Sequence, residues 1–114
     1  MIRRNNEQAV EMKCIRNGNG EAEMHKLLNG ESELYGKGRM FNRMILAPGV
    51  SIGEHQHTGD NEIFYILSGT PEYNDNGTIV TLQPGDVAIC NDGETHYIAN
   101  KTDSPVEFIA LILY

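Results

Sequence analysis

Apolar and polar positions alternate along most of this chain in short runs, and turn residues separate the runs at close intervals. β-Branched and aromatic residues concentrate at positions 40–46, 50–57, 62–67, 78–82, 86–90, 96–100 and 106–114. Between them fall Pro48-Gly49, Thr58-Gly59-Asp60-Asn61, Asn74-Asp75-Asn76-Gly77, Pro84-Gly85-Asp86 and Asn91-Asp92-Gly93. Such residues supply a positive or preset φ that strand interiors cannot use. Seven short strands with turn signals about every 8–12 residues predict an all-β sandwich or barrel. Asn76-Gly77 is the strongest hairpin signal. Residues 21–34 carry a weak helical period in Ala22, Leu27, Leu28 and Leu34, but Gly30 interrupts it, so strands are predicted there as well. The last run is apolar on both faces beyond Glu107, where a half-solvated strand would alternate. Its second face is covered either by the N-terminal segment or by a second subunit, and a symmetric homodimer is the favoured reading.

Composition narrows the function classes. The chain has 114 residues, enough for one domain, and a formal charge of −7 with no basic cluster. That balance argues against nucleic acid or an anionic membrane as partner. The longest apolar runs, 63–67 and 108–114, are too short to span a bilayer. The start, with Arg3-Arg4 but no apolar run behind them, does not read as a secretory signal. Cys14 and Cys90 follow no metal-finger or redox spacing. A cytoplasmic location is therefore expected.

Four histidines are present: His25, His55, His57 and His96. His55 and His57 are two apart in a predicted strand, so both imidazoles point to one face. A hairpin through 58–61 would return Glu62 beside them. Imidazole with carboxylate suits a divalent transition metal.

The longer pattern resembles a known family. Gly49, five residues, His55, one, His57, four, Glu62, six and Gly69 match the first motif of the cupin superfamily. Gly85, five residues, Asn91-Asp92-Gly93-Glu94-Thr95-His96, three more and Asn100 match the second, with Asn91 where the family has proline. The resemblance to small single-domain cupins implies a double-sheet jelly-roll barrel, with residues 39–114 as barrel core and 1–38 as N-terminal strands or arm of the same domain. It also implies one divalent metal (Mn, Fe, Ni or Zn) held by His55, His57, Glu62 and His96, with two positions open to a ligand. His25 lies outside both motifs and reads as an ordinary strand histidine.

Period two places Phe64 and Ile66 with Glu62, Ile98 with His96, and Ser51 and Gly53 with His55. The predicted pocket wall is Phe64, Ile66, Ile98 and Met44, with Gly53 leaving space near the metal. Arg43 reads as outward and solvated, and no acid or base is assigned. The resemblance implies an enzyme acting on a small molecule by dioxygenase-, lyase- or decarboxylase-like chemistry. A non-catalytic small-molecule binder or sensor and a sugar-phosphate isomerase-like cupin are the alternatives.

Overall fold

The computed structural model describes residues 1–114. Ten strands form: β1 (Val10–Lys13), β2 (Ala22–Leu28), β3 (Gly38–Leu46), β4 (Ser51–Gln56), β5 (Asn61–Ser68), β6 (Glu72–Asp75), β7 (Thr78–Thr81), β8 (Val87–Cys90), β9 (Thr95–Ala99) and β10 (Val106–Leu113). They make a six-stranded sheet, β1-β2-β3-β10-β5-β8, and a four-stranded sheet, β4-β9-β6-β7. All pairings are antiparallel. The jelly-roll layering predicted from the sequence is present. The closed barrel is not, because no hydrogen-bonded ladder joins one sheet to the other.

Period two builds the core. Along β10 the residues Val106, Phe108, Ala110 and Ile112 point inward, each no more than 4% exposed. Met44 and Leu46 on β3, Phe64 and Ile66 on β5, and Ile52 and Ile98 from the other sheet meet them. Water-excluding contact between the two inner faces is the main stabilising term here. Asn76 and Gly77 both have positive φ, at 51° and 96°, and close the β6–β7 hairpin as predicted. Asn74 and Asp75 belong to β6 rather than to the turn. Residues 21–34 divide into β2 and a single 3-10 turn at Glu31–Leu34, so the predicted strand covers only the first half.

The N-terminal part joins the same fold twice. β1 and β2 extend the large sheet at the edge of β3. The segment between them crosses onto β4, where the Gly53 and Gly18 amides both donate to the Ile15 carbonyl, at 3.1 and 3.0 Å. This contact explains Gly53. A Cβ there would sit 2.0 Å from the Arg16 carbonyl oxygen, so the missing side chain admits the arm's backbone and leaves no space for a metal, contrary to the sequence expectation. Gly53→Ala should therefore detach the arm or displace β4, lowering stability by about 2 kcal/mol or more in thermal unfolding. An unchanged midpoint would mean that the arm is not pinned at this residue.

Candidate metal centre

The site lies where the two sheets converge. His55 is on β4 and His96 on β9, directly opposite in the ladder. Glu62 comes from β5 of the other sheet, so the segment expected as a hairpin through 58–61 is instead a crossing between the two sheets, and His57 follows the end of β4. The register of β4 on β9 shifts between Ile52 and His55. This β-bulge adds one residue to β4 and reverses its parity. Ile52 and His55 therefore both face inward, although strict alternation would have grouped His55 with Ser51 and Gly53. The 91–94 turn then positions the next two ligand candidates. His57 donates its amide to the Glu94 carbonyl and accepts from the Gly93 amide, at 3.0 and 2.7 Å. Asn91, where the family has proline, keeps the turn by donating its backbone N–H to the Glu94 carboxylate at 2.8 Å.

Each residue offers one ligand atom, and the four atoms lie within 4.8 Å of one another. Glu62 Oε1 is 3.1 Å from His96 Nε2, 3.2 Å from His57 Nε2 and 3.8 Å from His55 Nε2. His96 Nε2 is 3.1 Å from His55 Nε2 and 3.3 Å from His57 Nε2. Two ligand atoms that each sit about 2.1 Å from one ion at a right angle are about 3.0 Å apart. The spacing therefore fits a shared ion. The outer nitrogens fit it equally well. Nδ1 of His55 faces the Gly53 carbonyl at 2.7 Å, Nδ1 of His57 faces Asp60 at 2.7 Å, and Nδ1 of His96 faces the Tyr73 hydroxyl at 2.7 Å. The carbonyl and the carboxylate hold the proton on Nδ1 of His55 and His57 and leave their Nε2 lone pairs for a metal, and the Tyr73 hydroxyl is able to accept from His96 Nδ1 in the same way.

Electrostatics agree with a cation-binding donor set. Burial opposes ionisation of Glu62, but the imidazoles of His55, His57 and His96 around it, which favour the negative form whenever they carry an Nε2 proton, outweigh it and hold its carboxyl well below the usual carboxylate range. The Glu62 carboxylate, opposed by burial and helped by Asp60, raises the His57 pKa. Burial lowers that of His96. Asp60 is held low as well: His57 and Arg39, as hydrogen-bond partners, overcome the cost of its burial. Arg39 Nε donates to Asp60 at 3.0 Å, which completes a chain from Arg39 through Asp60 to His57.

A cavity of about 300 Å³ opens beside these groups. Phe64 and Met44 line it, together with Ile52, Met24, Met40 and Ile112. Ile66 and Ile98, predicted as wall residues, lie deeper in the core at 1% and 0% exposure and do not line the cavity. The strand parity was right for both, but depth along the strand is not visible in a period. Phe64 stacks on His96 with ring centroids 5.2 Å apart and so holds the ligand ring flat. Arg43 faces away and pairs with Glu107. His25 meets Glu23 at 2.6 Å on the outer side of β2. Lys13, Arg16 and Arg39 also line the cavity, and the sequence reading missed the first two. Two of these come from the arm, which carries no motif.

The cupin-domain family model matches residues 42–112. The chain belongs to the cupin family. This cupin is 44% identical over 99 residues to a protein of Thermotoga maritima named oxalate-binding protein, a match covering 87% of this chain and 81% of that protein. It also resembles the crystal structure of a predicted oxalate decarboxylase from Thermotoga maritima, at 41% identity and a TM-score of 0.93, covering 99% and 98% of the two chains. A polyketide cyclase from Streptomyces resistomycificus, at 19% identity and a TM-score of 0.77 over 99% of this chain and 80% of its own, shares the fold alone.

Proposed function

We propose that this cupin holds one divalent transition metal at His55, His57, Glu62 and His96, and binds a small carboxylate there. The convergence of three imidazoles and one carboxylate beside an open cavity carries this reading. When bound, the metal would supply Lewis-acid polarisation of a ligand oxygen. The chain's own residues orient the four donor atoms, and the wall of Met24, Met40, Met44, Ile52 and Phe64 limits water around them. The Thermotoga relative's name suggests oxalate as the first ligand to test. Binding without turnover is favoured over decarboxylation by one observation. Replacing a C–C bond with C–H requires a proton donor, and apart from the metal-facing groups the cavity lining has no carboxyl, histidine, cysteine or tyrosine, only the solvent-exposed ammonium of Lys13. A metal-dependent lyase or oxygenase is the second reading, supported by the open space beside the donor set.

Calorimetric titration of Mn²⁺-loaded protein with oxalate tests the proposal. Binding with Kd below about 1 mM is expected, and chelation of the metal should abolish it. Equal binding after chelation would refute a metal-held ligand. Both metal and oxalate affinity should fall as pH drops from 7.5 toward 5.5, because a metal must displace the proton from any imidazolium. The raised pKa of His57 and the lowered one of His96 mean that His57 takes up a proton before His96 as the pH falls.

The outer face of the six-stranded sheet supports a homodimer. Val87, Ile89, Tyr65 and Leu67 are 57%, 49%, 46% and 40% exposed. Ile63 and Ile109 lie beside them in register. A second copy presenting the same face would cover this patch. Ile89→Lys should convert a dimer to a monomer in sedimentation velocity at micromolar concentration. A wild-type monomer under those conditions would rule out the pairing.

A further inference from the structure

Lys13, Arg16 and Arg39 line the cavity, whose only carboxylate is Glu62. The rest of the chain has the opposite balance, with a formal charge of −7. Arg39 is engaged with Asp60. Lys13 and Arg16 enter no ion pair within the chain. Their placement is built rather than incidental. Arg16 and Asn17 are consecutive non-glycine residues in the left-handed region, with φ of 54° and 56°. That conformation is uncommon and costs energy unless the surroundings impose it. Here the Ile15–Gly18 turn holds it, closed by the Gly18 amide on the Ile15 carbonyl and seated against β4 where Gly53 and Gly18 leave room for the backbone. Strain held at a cavity mouth is a feature of binding sites.

We infer that Lys13 and Arg16 form an anion subsite at the cavity mouth, so that the preferred ligand is an organic dianion with one carboxylate at the metal centre and a second acidic group at the arm. The inference rests on the metal-centre reading and deepens it. The cavity of about 300 Å³ falls at the lower end of the range for small organic ligands and has room for more than a two-carbon acid. Between its charged ends the wall is apolar, with Met24, Met40, Ile52 and Phe64. This suits a short hydrocarbon spacer. Two exposed cations confer selectivity through charge, which salt screens.

The test uses glutarate and its monoacid counterpart pentanoate, titrated into Mn²⁺-loaded wild-type protein and into the double variant K13Q/R16Q. Wild-type protein should prefer glutarate over pentanoate by about tenfold or more. The preference should shrink as NaCl rises from 50 to 500 mM. The double variant should lose the preference and keep its Mn²⁺ affinity, with oxalate affinity changed by less than about threefold because the two directly joined carboxylates of oxalate both stay at the metal centre. Equal binding of the two acids by wild-type protein, or an unchanged ratio in the variant, would overturn the anion subsite and leave the metal centre standing. Failure of wild-type protein to bind Mn²⁺ would overturn both.

Discussion

His55→Ala should lower Mn²⁺ affinity by a factor on the order of a thousand, while His25→Ala leaves it unchanged. The contrast follows from position. His55 Nε2 is 3.1 Å from His96 Nε2 and 3.8 Å from Glu62 Oε1, inside the donor set. His25 is spent on Glu23, two residues away on the outer face of the same strand. His55 is the better probe than His96 because its loss does least to the fold. Its Nδ1 partner is a part-buried backbone carbonyl, that of Gly53, and its loss leaves no buried charge unpaired. His96 is 1% exposed, stacked on Phe64 and bonded to Tyr73, so its removal would damage the core as well. Thermal unfolding supplies the second readout. A metal present at a hundred times its Kd stabilises the folded state by about 2.7 kcal/mol. Wild-type protein and His25→Ala should both show that upward shift, and His55→Ala should show none. Equal shifts in all three proteins would mean that the metal binds elsewhere.

The parts of this site that were legible in the sequence are those that depend on spacing. The motif spacing grouped His55, His57 and Glu62 correctly but for a different reason than expected: no hairpin joins β4 to β5, and the connection after Gln56 crosses from one sheet to the other, so the three meet between the sheets. Strand parity likewise placed Phe64, Ile66 and Ile98 inward, and the structure buries all three. What escaped depends on long-range contact. The bulge in β4 is a mismatch between two strands about forty residues apart in sequence, and no local pattern marks it. Gly53 looked like space beside a metal, because the approach of the Arg16 backbone comes from a segment with no strand signal of its own. For the same reason the cations of the arm were not placed at the cavity. Asn74 and Asp75, turn formers by composition, entered β6 because Asn74 can bond Glu54 and the Gly77 amide while its backbone pairs in the ladder. Tertiary context overrode their propensity. The apolar outer face of β10 was legible as an anomaly, and its partner is the question that sedimentation answers.

Asp60→Asn should weaken Mn²⁺ binding by about 10–100-fold without unfolding the protein, although Asp60 lies outside the proposed ligand set. Its carboxylate accepts from two donors, Nδ1 of His57 at 2.7 Å and Nε of Arg39 at 3.0 Å. An asparagine has one acceptor oxygen for these two donors. If the oxygen stays with Arg39, the amide NH₂ faces His57 Nδ1, and the ring must move its proton to Nε2 to accept from it. That proton would then point at Glu62 Oε1, 3.2 Å away, where a metal needs the lone pair. The substitution also removes a buried charge that, through Arg39, connects the metal centre to the cavity lining. A purely structural role for Asp60 would lower the unfolding midpoint and leave the imidazole tautomer alone. The deciding measurement is therefore the ¹⁵N spectrum of the histidines in metal-free protein. His57 should carry its proton on Nδ1 in the wild type and on Nε2 in the variant. An unchanged tautomer with unchanged metal affinity would show that His57 is oriented by its backbone contacts with Gly93 and Glu94, and that Asp60 serves Arg39 alone.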